Sequence, residues 1–294
     1  MRIANNNIFH TVTSNLARNQ ERFFRTEQVA ASGKRLQRLS TDPPALGRML
    51  RLRTTIASQD QYQRHIDQAT SWLNVTETSL TQVADMLMRA KELTLSQASS
   101  TANAETRAGT AKEVDMLLQQ AIQAGNAKLG NQFLFAGRKT NVVPFSSSGS
   151  YQGDSGTIDV EIGQGTVVTM NTPGDVAFKG AGGGVDLLSV LQTLKTALEG
   201  NDRAGVEAQL TPLDNSLNQV VKARAEVGAK VARLSREKER LLEANEHVMR
   251  VLEETEGADL AKTLSDLAQQ EFVYQASLAA SARAIQPTLL DFLR

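Results

Sequence analysis

An apolar residue recurs at every seventh position through the second half of the chain. The series comprises Val206, Leu213, Val220, Val227, Leu234, Leu241 and Val248. Leucine or valine also stands four residues after several of them, at Leu210, Leu217, Val231 and Leu252, whereas Arg224, Lys238 and Asn245 are polar there. A seven-residue apolar repeat lines one side of a helix and is typical of a coiled-coil or bundle seam. It predicts a helix over residues 203–254, about 78 Å long at about 1.5 Å per residue.

A repeat of the same period in the first half predicts the partner of that helix. It comprises Ile66, Leu73, Leu80 and Leu87, with Ala69, Thr76, Val83 and Ala90 between them. Ser40, Asp42 and Pro43 form the predicted helix-start turn, because a carboxylate accepts bonds from free backbone amides and proline is tolerated in a first turn. The stretch SSTANAE, residues 99–105, predicts a break after this helix.

Residues 138–185 differ in composition from the helical stretches on both sides. The strings SSSGSYQGDSG and KGAGGGV are turn-forming. Between them Ile158, Val160 and Ile162 alternate with polar residues, and a turn at residues 163–165 leads to a second strand, so a small β insert is predicted. The helix before it carries Val114, Leu117, Leu118, Ala121 and Ile122 on one face and extends to about residue 129. Helical periodicity resumes at VDLLSVLQTLKTAL and continues into the long seam.

Both ends of the chain carry apolar stripes. Phe9, Leu16, Phe23 and Ala30 are seven residues apart near the beginning. After a break at Gly257 and a cap at Asp259, one stripe comprises Leu264, Leu278, Ile285 and Phe292, and a neighbouring one comprises Leu260, Leu267 and Tyr274. Each end is therefore predicted to be an amphipathic helix that needs a partner.

Together these stretches predict a mainly α fold. The N- and C-terminal halves form a long antiparallel helical coiled-coil bundle with a small inserted β domain. The predicted parts are a terminal helical pair for assembly, residues 1–45 with 258–294; a long bundle domain, residues 46–137 with 186–257; and a β-rich outer insert, residues 138–185. The terminal helices are expected to pair, the long seams to pair inside them, and the insert to cap the far tip.

The charge pattern excludes broad electrostatic attraction to nucleic acid, because 32 basic residues balance 32 acidic ones. Residues 1–60 carry a net charge of +6 and residues 251–294 a net charge of −4, so the two ends are expected to attract. Arg18, Arg22 and Arg25 are interpreted as the solvated face of a helix rather than a nucleic-acid arm.

The cysteine content and the apolar stretches of the chain bear on export and membrane insertion. The chain has no cysteine, which excludes disulfides and thiolate metal sites. No stretch approaches the roughly 18 to 20 apolar residues of a membrane span, and the string MRIANNNIFHTVTSNL lacks the apolar core of a signal peptide. We therefore expect no membrane insertion and, if the protein is exported, a route without a cleaved signal peptide.

One short string invites a catalytic interpretation. GDSG, residues 153–156, resembles the nucleophile turn of trypsin-like proteases, but His10, His65 and His247 all fall in predicted helices far from Ser155 in sequence. The histidines also lack the spacing of a metal site, and AGGGV, residues 181–185, lacks the lysine of a phosphate loop. We predict no enzyme activity and no catalytic, cofactor or metal site.

A family resemblance becomes specific in the stretch ASGKRLQRLSTDPPALGRMLRLR, which ends at Arg53. It resembles the N-terminal region of the flagellin superfamily, in which a Ser-Gly-basic-Arg element leads to a Ser-Asp-Asp-Pro turn and a long helix. The matching residues are Ser32, Gly33, Arg35, Ser40, Asp42 and Pro43, while Thr41 departs from the usual aspartate.

Three further stretches are similar to the hook-associated branch of that superfamily, whose members join hook and filament. They are QFLFAGRKTNVVPF, the stretch DLAKTLSDLAQQEFVYQASLAASARA and the string LLDFLR. Phe133 stands where tyrosine is common in that branch. The resemblance covers both helical halves and leaves only the insert unassigned.

The resemblance implies a structural subunit of the bacterial flagellum, exported unfolded by the flagellar type III apparatus with the help of an export chaperone. It implies a homo-oligomeric ring outside the cell at the hook–filament junction, with another hook-associated protein on the hook side and flagellin on the filament side. The ring would adapt the hook assembly to the filament.

The apolar residues of both ends are the candidate subunit-interaction site, since a lone pair of terminal helices buries too little surface to offset its ordering. They are Phe9, Leu16, Phe23, Leu289, Leu290, Phe292 and Leu293. Two other functions stay open: a filament flagellin, and a cytoplasmic signalling coiled coil, which would explain neither the β insert nor the apolar tail.

Overall fold

The computed structural model describes residues 2–35, 42–100 and 102–285, without the side chains of residues 2–6, 8, 284 and 285. Its helices are α1 (Arg2–Ser32), α2 (Pro43–Ala98), α3 (Ala104–Gly125), α4 (Gly174–Ala177), α5 (Leu187–Glu199), α6 (Arg203–Ala208), α7 (Leu210–Glu256) and α8 (Leu260–Ile285). Its strands are β1 (Lys128–Leu129), β2 (Gln132–Phe133), β3 (Asp159–Gly163) and β4 (Thr166–Thr169). The predicted fold class, mainly α with a small β insert, is confirmed.

The structure divides into two compact units. One comprises residues 1–57 and 244–294, and the other comprises residues 58–243. The three-part division of the sequence into terminal pair, bundle and insert stays a prediction.

The core of the 58–243 unit lies along the two predicted seams. All eight seam residues of α2, from Ile66 to Ala90, are at most 1% exposed. On the other side, the seven-residue series from Val206 to Leu241 is buried throughout. The positions four residues later are only half-buried between Leu210 and Lys238, while Ser216 and Ala223, three residues after the seam, are buried. The heptad period is therefore confirmed. The second row of buried positions follows the first by three residues rather than by the predicted four.

Three ion pairs fix the antiparallel register of α2 and α7 in this unit. Lys91 Nζ lies 2.5 Å from Asp214 Oδ1, Arg224 Nη2 lies 2.8 Å from Glu77 Oε1, and Lys238 Nζ lies 2.6 Å from Asp67 Oδ1. As the residue number falls along α2 it rises along α7, so the helices run in opposite directions. Two of the polar residues that interrupt the repeat therefore make interhelical ion pairs.

The predicted single helix over residues 203–254 is wrong at its beginning. The structure has α6 and then α7, which starts at Leu210 after a break at Gln209. Pro212 explains the new start, because proline lacks a backbone amide and fits only the first turn of a helix. Helix α5 is separate as well, ending before Asn201, whose φ of 51° leaves the helical region.

The predicted helix after the 99–105 break also ends earlier than expected. It stops at Gly125 rather than near residue 129, since the chain turns at Asn126 into the β1–β2 hairpin. Its start is capped by Asn103, whose side chain accepts a bond from the Thr106 amide at 2.8 Å. The break itself is confirmed, because α2 ends at Ala98 and α3 begins at Ala104.

The insert contains the predicted β hairpin and a short helix that the sequence did not indicate. Strands β3 and β4 pair antiparallel, with a bulge between Glu161 and Gly163 and a turn in which Gly165 has a φ of +69°. Phe178, at the end of α4, packs against Phe135 and Phe145, with ring centroids 5.0 Å apart in each case. The insert therefore has an aromatic core, which is continuous with the apolar core between the helices.

Candidate functional site

The paired terminal helices α1 and α8 are the candidate functional site. They pack antiparallel in the unit formed by residues 1–57 and 244–294. Asn19 Nδ2 donates to Ser277 Oγ at 2.7 Å, and the rings of Phe23 and Tyr274 stack with centroids 5.9 Å apart. Tyr274 belongs to the stripe that also holds Leu267, so this stripe, rather than the one with Leu264 and Leu278, faces α1.

The seam between α1 and α8 covers little of either helix. None of the described side chains of α1 is buried, and Leu16 and Phe23 are half-buried. Large apolar side chains stay exposed on both helices: Phe9, Phe24, Leu260, Leu264, Phe272, Val273 and Leu278. Single exposed apolar residues are common, but so many on one helix pair make this surface a candidate interaction site.

The structure places the predicted site residues in two groups. Phe9, which is 47% exposed, Leu16 and Phe23 lie on one face of α1. Leu289, Leu290, Phe292 and Leu293 lie outside the described residues. Their role in subunit contacts stays a prediction for all seven.

Sequence analysis missed Phe272, which is 72% exposed on α8. It belongs to neither apolar stripe, so periodicity gave no signal for it. The one feature that could have drawn attention to Phe272 is that it is an aromatic residue outside both apolar stripes of α8.

The charge attraction expected between residues 1–60 and 251–294 takes the form of two ion pairs at Glu256, from Lys34 and Arg53, and not of ion pairs between the described parts of α1 and α8. Arg25 pairs with Glu21 on its own helix at 3.2 Å, and Arg18 donates to Asn15 Oδ1 at 2.8 Å. The seam between α1 and α8 instead consists of the ring stack and the Asn19–Ser277 bond.

A cluster of contacts around Glu256 joins the end of α1 to the end of α7. Lys34 Nζ and Arg53 Nη2 lie 3.0 and 2.7 Å from the two carboxylate oxygens of Glu256. Backbone bonds from Arg35 to Glu256 and from Ala258 to Gly33, 2.8 and 2.9 Å long, complete this Glu256 clasp. Burial alone would raise the pKa of Glu256, but the bonds from Lys34 and Arg53 outweigh it and hold the pKa below its usual value.

The helix-start turn is described in part. The Ala45 amide donates to Asp42 Oδ1 at 3.1 Å, and α2 begins at Pro43, as the sequence indicated. Ser40 lies outside the described residues. At the other end of the chain, the predicted cap of α8 is present, because the Lys262 amide donates to Asp259 Oδ1 at 3.1 Å.

The GDSG string forms a packed turn of the insert. The Ser155 hydroxyl donates to the Asp175 carboxylate, and an added side-chain carbon at Gly153 would lie 2.4 Å from the Tyr151 hydroxyl. That hydroxyl lies 2.9 and 2.8 Å from the carbonyl oxygens of Phe135 and Asp154, which share its one hydrogen, and burial raises the pKa of Tyr151 to about 12. His65 bonds instead to the Glu161 carbonyl, 2.8 Å from its Nδ1. The geometry gives the glycines and Ser155 a structural role.

The residues that the structure describes contain no group of histidine, aspartate and glutamate side chains that could hold a metal ion. Within the same residues, none of the helices combines the length and apolar character of a membrane span.

The characteristic sequence patterns of two protein-family regions together match most of the chain. The bacterial flagellin N-terminal helical region matches residues 3–140, and the bacterial flagellin C-terminal helical region matches residues 210–293. The chain belongs to the bacterial flagellin family. The family predicted from the sequence is thereby confirmed.

Individual members of the flagellin family resemble this chain over most of its length. Flagellar hook-associated protein 3 of Salmonella typhimurium is 26% identical over 258 residues, covering 80% of this chain and 81% of that protein. A flagellin of Bacillus subtilis is 26% identical over an alignment of 317 positions, covering 100% of both chains. The solved structure of a flagellar hook-associated protein from Vibrio parahaemolyticus superposes with a TM-score of 0.67 at 26% identity, covering 74% of this chain and 100% of that one.

Proposed function

We propose that the protein is a structural subunit of the bacterial flagellum that forms the junction between hook and filament. The observation that carries the proposal is the combined likeness, in sequence and in structure, to hook-associated proteins. The fold suits a mechanical role, because the α2–α7 seam is braced by interhelical ion pairs along its length. It is a non-catalytic part.

Copies of the chain assemble through the terminal helices. The exposed apolar surface of α1 and α8 supplies the contact, and Phe9, Leu16, Phe23, Leu289, Leu290, Phe292 and Leu293 pack in the inner layer of a tubular assembly. Burying this surface against neighbours offsets the conformational entropy lost when both ends are ordered. Ordering coupled to assembly also keeps the chain thin enough for export.

The partners follow from this position. Copies form a ring outside the cell, with another hook-associated protein on the hook side and flagellin on the filament side. Before export, a cytoplasmic chaperone holds the chain. Neither nucleic acid nor membrane insertion is part of the function.

The position in the flagellum can be tested with one label. Ser147 is exposed in the insert and the chain has no cysteine, so Ser147→Cys gives a single site for a thiol-reactive dye. We expect one spot at the base of each filament on labelled cells, with the unsubstituted protein as the unlabelled control. Label along the whole filament would contradict the junction role.

A filament flagellin is the second candidate, because the Bacillus subtilis flagellin aligns over the full length of this chain. The purified protein would then grow long filaments by itself. We expect it not to do so without the neighbouring flagellar proteins.

A further inference from the structure

A groove lies between α1 and α8 in the terminal pair. Its volume is about 460 Å³. Val12 and Leu16 of α1 and Ala280 of α8 supply its apolar lining, and Arg18 and Arg22 line it with positive charge. We refer to it as the terminal groove.

The arginines of the terminal groove have unused capacity to bind an acidic group. Neither makes an ion pair in the described part of the chain. The nearby carboxylate on the same helix, Glu21, is already paired with Arg25 at 3.2 Å. An arginine beside an apolar surface favours a ligand that combines apolar side chains with a carboxylate. The terminal groove therefore fits a short apolar segment carrying one acidic residue.

One segment of this chain has that composition. In QPTLLDFLR, residues 286–294, Asp291 is flanked by Leu289, Leu290, Phe292 and Leu293. It is the part of the chain that follows α8 and lies outside the described residues. Its one acidic side chain can pair with the two arginines, and its apolar residues can pack against Val12 and Leu16.

The direction of α8 argues against the groove's own chain as the donor of this segment. The contacts Asn19–Ser277 and Phe23–Tyr274 show that α8 runs towards the beginning of α1. Helix α8 passes the groove at Ala280 and continues to Ile285, so the chain leaves the groove as it proceeds. To enter the groove, the same chain would have to reverse direction, whereas another copy approaches freely.

We propose that the terminal groove of one copy binds residues 286–294 of a neighbouring copy, with Asp291 between Arg18 and Arg22. The four apolar residues of that segment cover Val12 and Leu16. This inference rests on the proposed function and makes it specific, because it names both surfaces of one subunit contact. A contact between two different surfaces is heterologous, so it continues from copy to copy around a ring or tube.

Thiol cross-linking tests the contact directly, because the chain has no cysteine of its own. Arg22→Cys and Asp291→Cys are made in separate copies and produced together in cells that lack the natural protein. Flagella are then isolated and treated with a short bismaleimide cross-linker. We expect a cross-linked dimer, because an arginine–aspartate pair leaves the two Cα atoms farther apart than the roughly 4.4–6.8 Å of a disulfide, and the linker bridges this distance. Gln20→Cys, exposed two residues away and outside the groove lining, is the matched control and should give at least about 10-fold less dimer.

A charge exchange tests the same contact through assembly. The double substitution Arg18→Glu with Arg22→Glu should lower incorporation into flagella at least about 10-fold, and adding Asp291→Lys to the same chain should recover most of that loss. Recovery of incorporation would not follow if the glutamates merely unfolded α1.

The outcomes separate the inference from the proposed function. Normal incorporation of the cysteine variants without a cross-linked dimer overturns the inference and leaves the junction role intact. A cross-link within a single dilute copy carrying both cysteines overturns it too, because the segment would then fill its own groove. Absence of the unsubstituted protein from flagella overturns the proposed function and the inference together.

Discussion

Two charged residues of the α2–α7 seam are accommodated by ion pairs. Arg224 and Lys238 interrupt the apolar repeat of α7, yet each reaches a carboxylate on α2, at Glu77 and Asp67. Hydrogen bonds from Arg224 and from Thr81 lower the pKa of Glu77. These pairs lie at the edge of the seam, where water still reaches them, so each contributes modestly to stability and mainly fixes register.

A charge at the centre of the seam has a different effect. Val227 and Leu234 are fully buried, and replacing either by aspartate leaves a carboxylate without a partner. We expect Val227→Asp or Leu234→Asp to lower the free energy of unfolding by more than about 3 kcal/mol. Urea unfolding followed by the fluorescence of Trp72, the one tryptophan and a buried one, measures this. Ala229→Asp, at an exposed position of α7, is the control, and an unchanged midpoint for Val227→Asp would contradict the heptad assignment.

The Glu256 clasp makes a prediction about pH. Because its pKa is lowered in the folded chain, Glu256 contributes stability above the usual glutamate pKa and loses it as pH falls through the lowered value. We expect Glu256→Gln to cost about 1–2 kcal/mol at pH 7, since its partners Lys34 and Arg53 are half-exposed, and to cost less near pH 3.

Hydrogen exchange provides the measurement for the clasp. The amides of Arg35 and Ala258 donate its backbone bonds, so both should exchange faster in Glu256→Gln than in the natural chain at the same neutral pH. Glu254→Gln, two residues away and exposed, is the control. Equal exchange rates in all three proteins would show that Glu256 does not stabilise the clasp.

At the scale of elements, the β hairpin of the insert is fastened between the two long helices. On one side His65 bonds to the Glu161 carbonyl of β3. On the other side Lys230 donates to the carbonyl of Asn171, just after β4, at 3.2 Å. A two-stranded hairpin is marginal by itself, so these contacts and the buried Ile162 stabilise it. The contacts of His65 and Lys230 also occupy backbone carbonyls that would otherwise be free to hydrogen-bond to another chain.

Helix α3 contains two glycines for which the structure predicts opposite effects of alanine. Gly109 is exposed, and an added side-chain carbon would meet nothing within 4 Å. At Gly125 the same carbon would lie 2.7 Å from the ring of Phe145. We expect Gly109→Ala to stabilise the protein by up to about 1 kcal/mol and Gly125→Ala to destabilise it by about 1–3 kcal/mol. Urea unfolding of the two variants compares them directly, and stabilisation by Gly125→Ala would contradict the packing of the insert on α3.

At the scale of the whole molecule, the two compact units differ in how far they bury their apolar residues. The 58–243 unit has buried seams, while the terminal pair exposes most of its large apolar side chains. We propose that neighbouring copies cover the exposed apolar side chains of the terminal pair, and this difference in burial is the physical basis of the proposed structural role.

Removing the last six residues should separate folding from assembly. We expect a chain without residues 289–294 to keep a folded core over residues 46–254, with unchanged helical content and unfolding midpoint. Its incorporation into flagella should be abolished, because four apolar assembly residues are lost. Circular dichroism and immunoblots of isolated flagella measure the two properties, and Thr288→Ala in the full chain is the control. Normal incorporation of the shortened protein would contradict the role assigned to these residues.

Amide exchange of the unassembled protein completes this test. In a dilute monomer, we expect fast exchange through α1 and α8 and slow exchange at the seam residues of α2. Slow exchange through both terminal helices would mean that they are already stabilised within one copy.

The helical seams, the hairpin of the insert and the caps at Asp42 and Asp259 could all be predicted from the sequence. Each of these depends on residues a few positions apart, so periodicity and cap chemistry were sufficient to predict them. The flagellin resemblance depended in the same way on short contiguous strings.

Contacts between residues far apart in the sequence could not be predicted, because they depend on tertiary packing. Periodicity could not show that the Leu267–Tyr274 stripe, rather than the stripe with Leu278, would face α1. Nor could it show that Arg107 would be buried, with its guanidinium 2.5 Å from Asn201 Oδ1 and 3.2 Å from the Gln97 carbonyl. A local sequence pattern shows which faces of a helix are apolar. Which of those faces becomes buried depends on packing against segments that are far away in the chain.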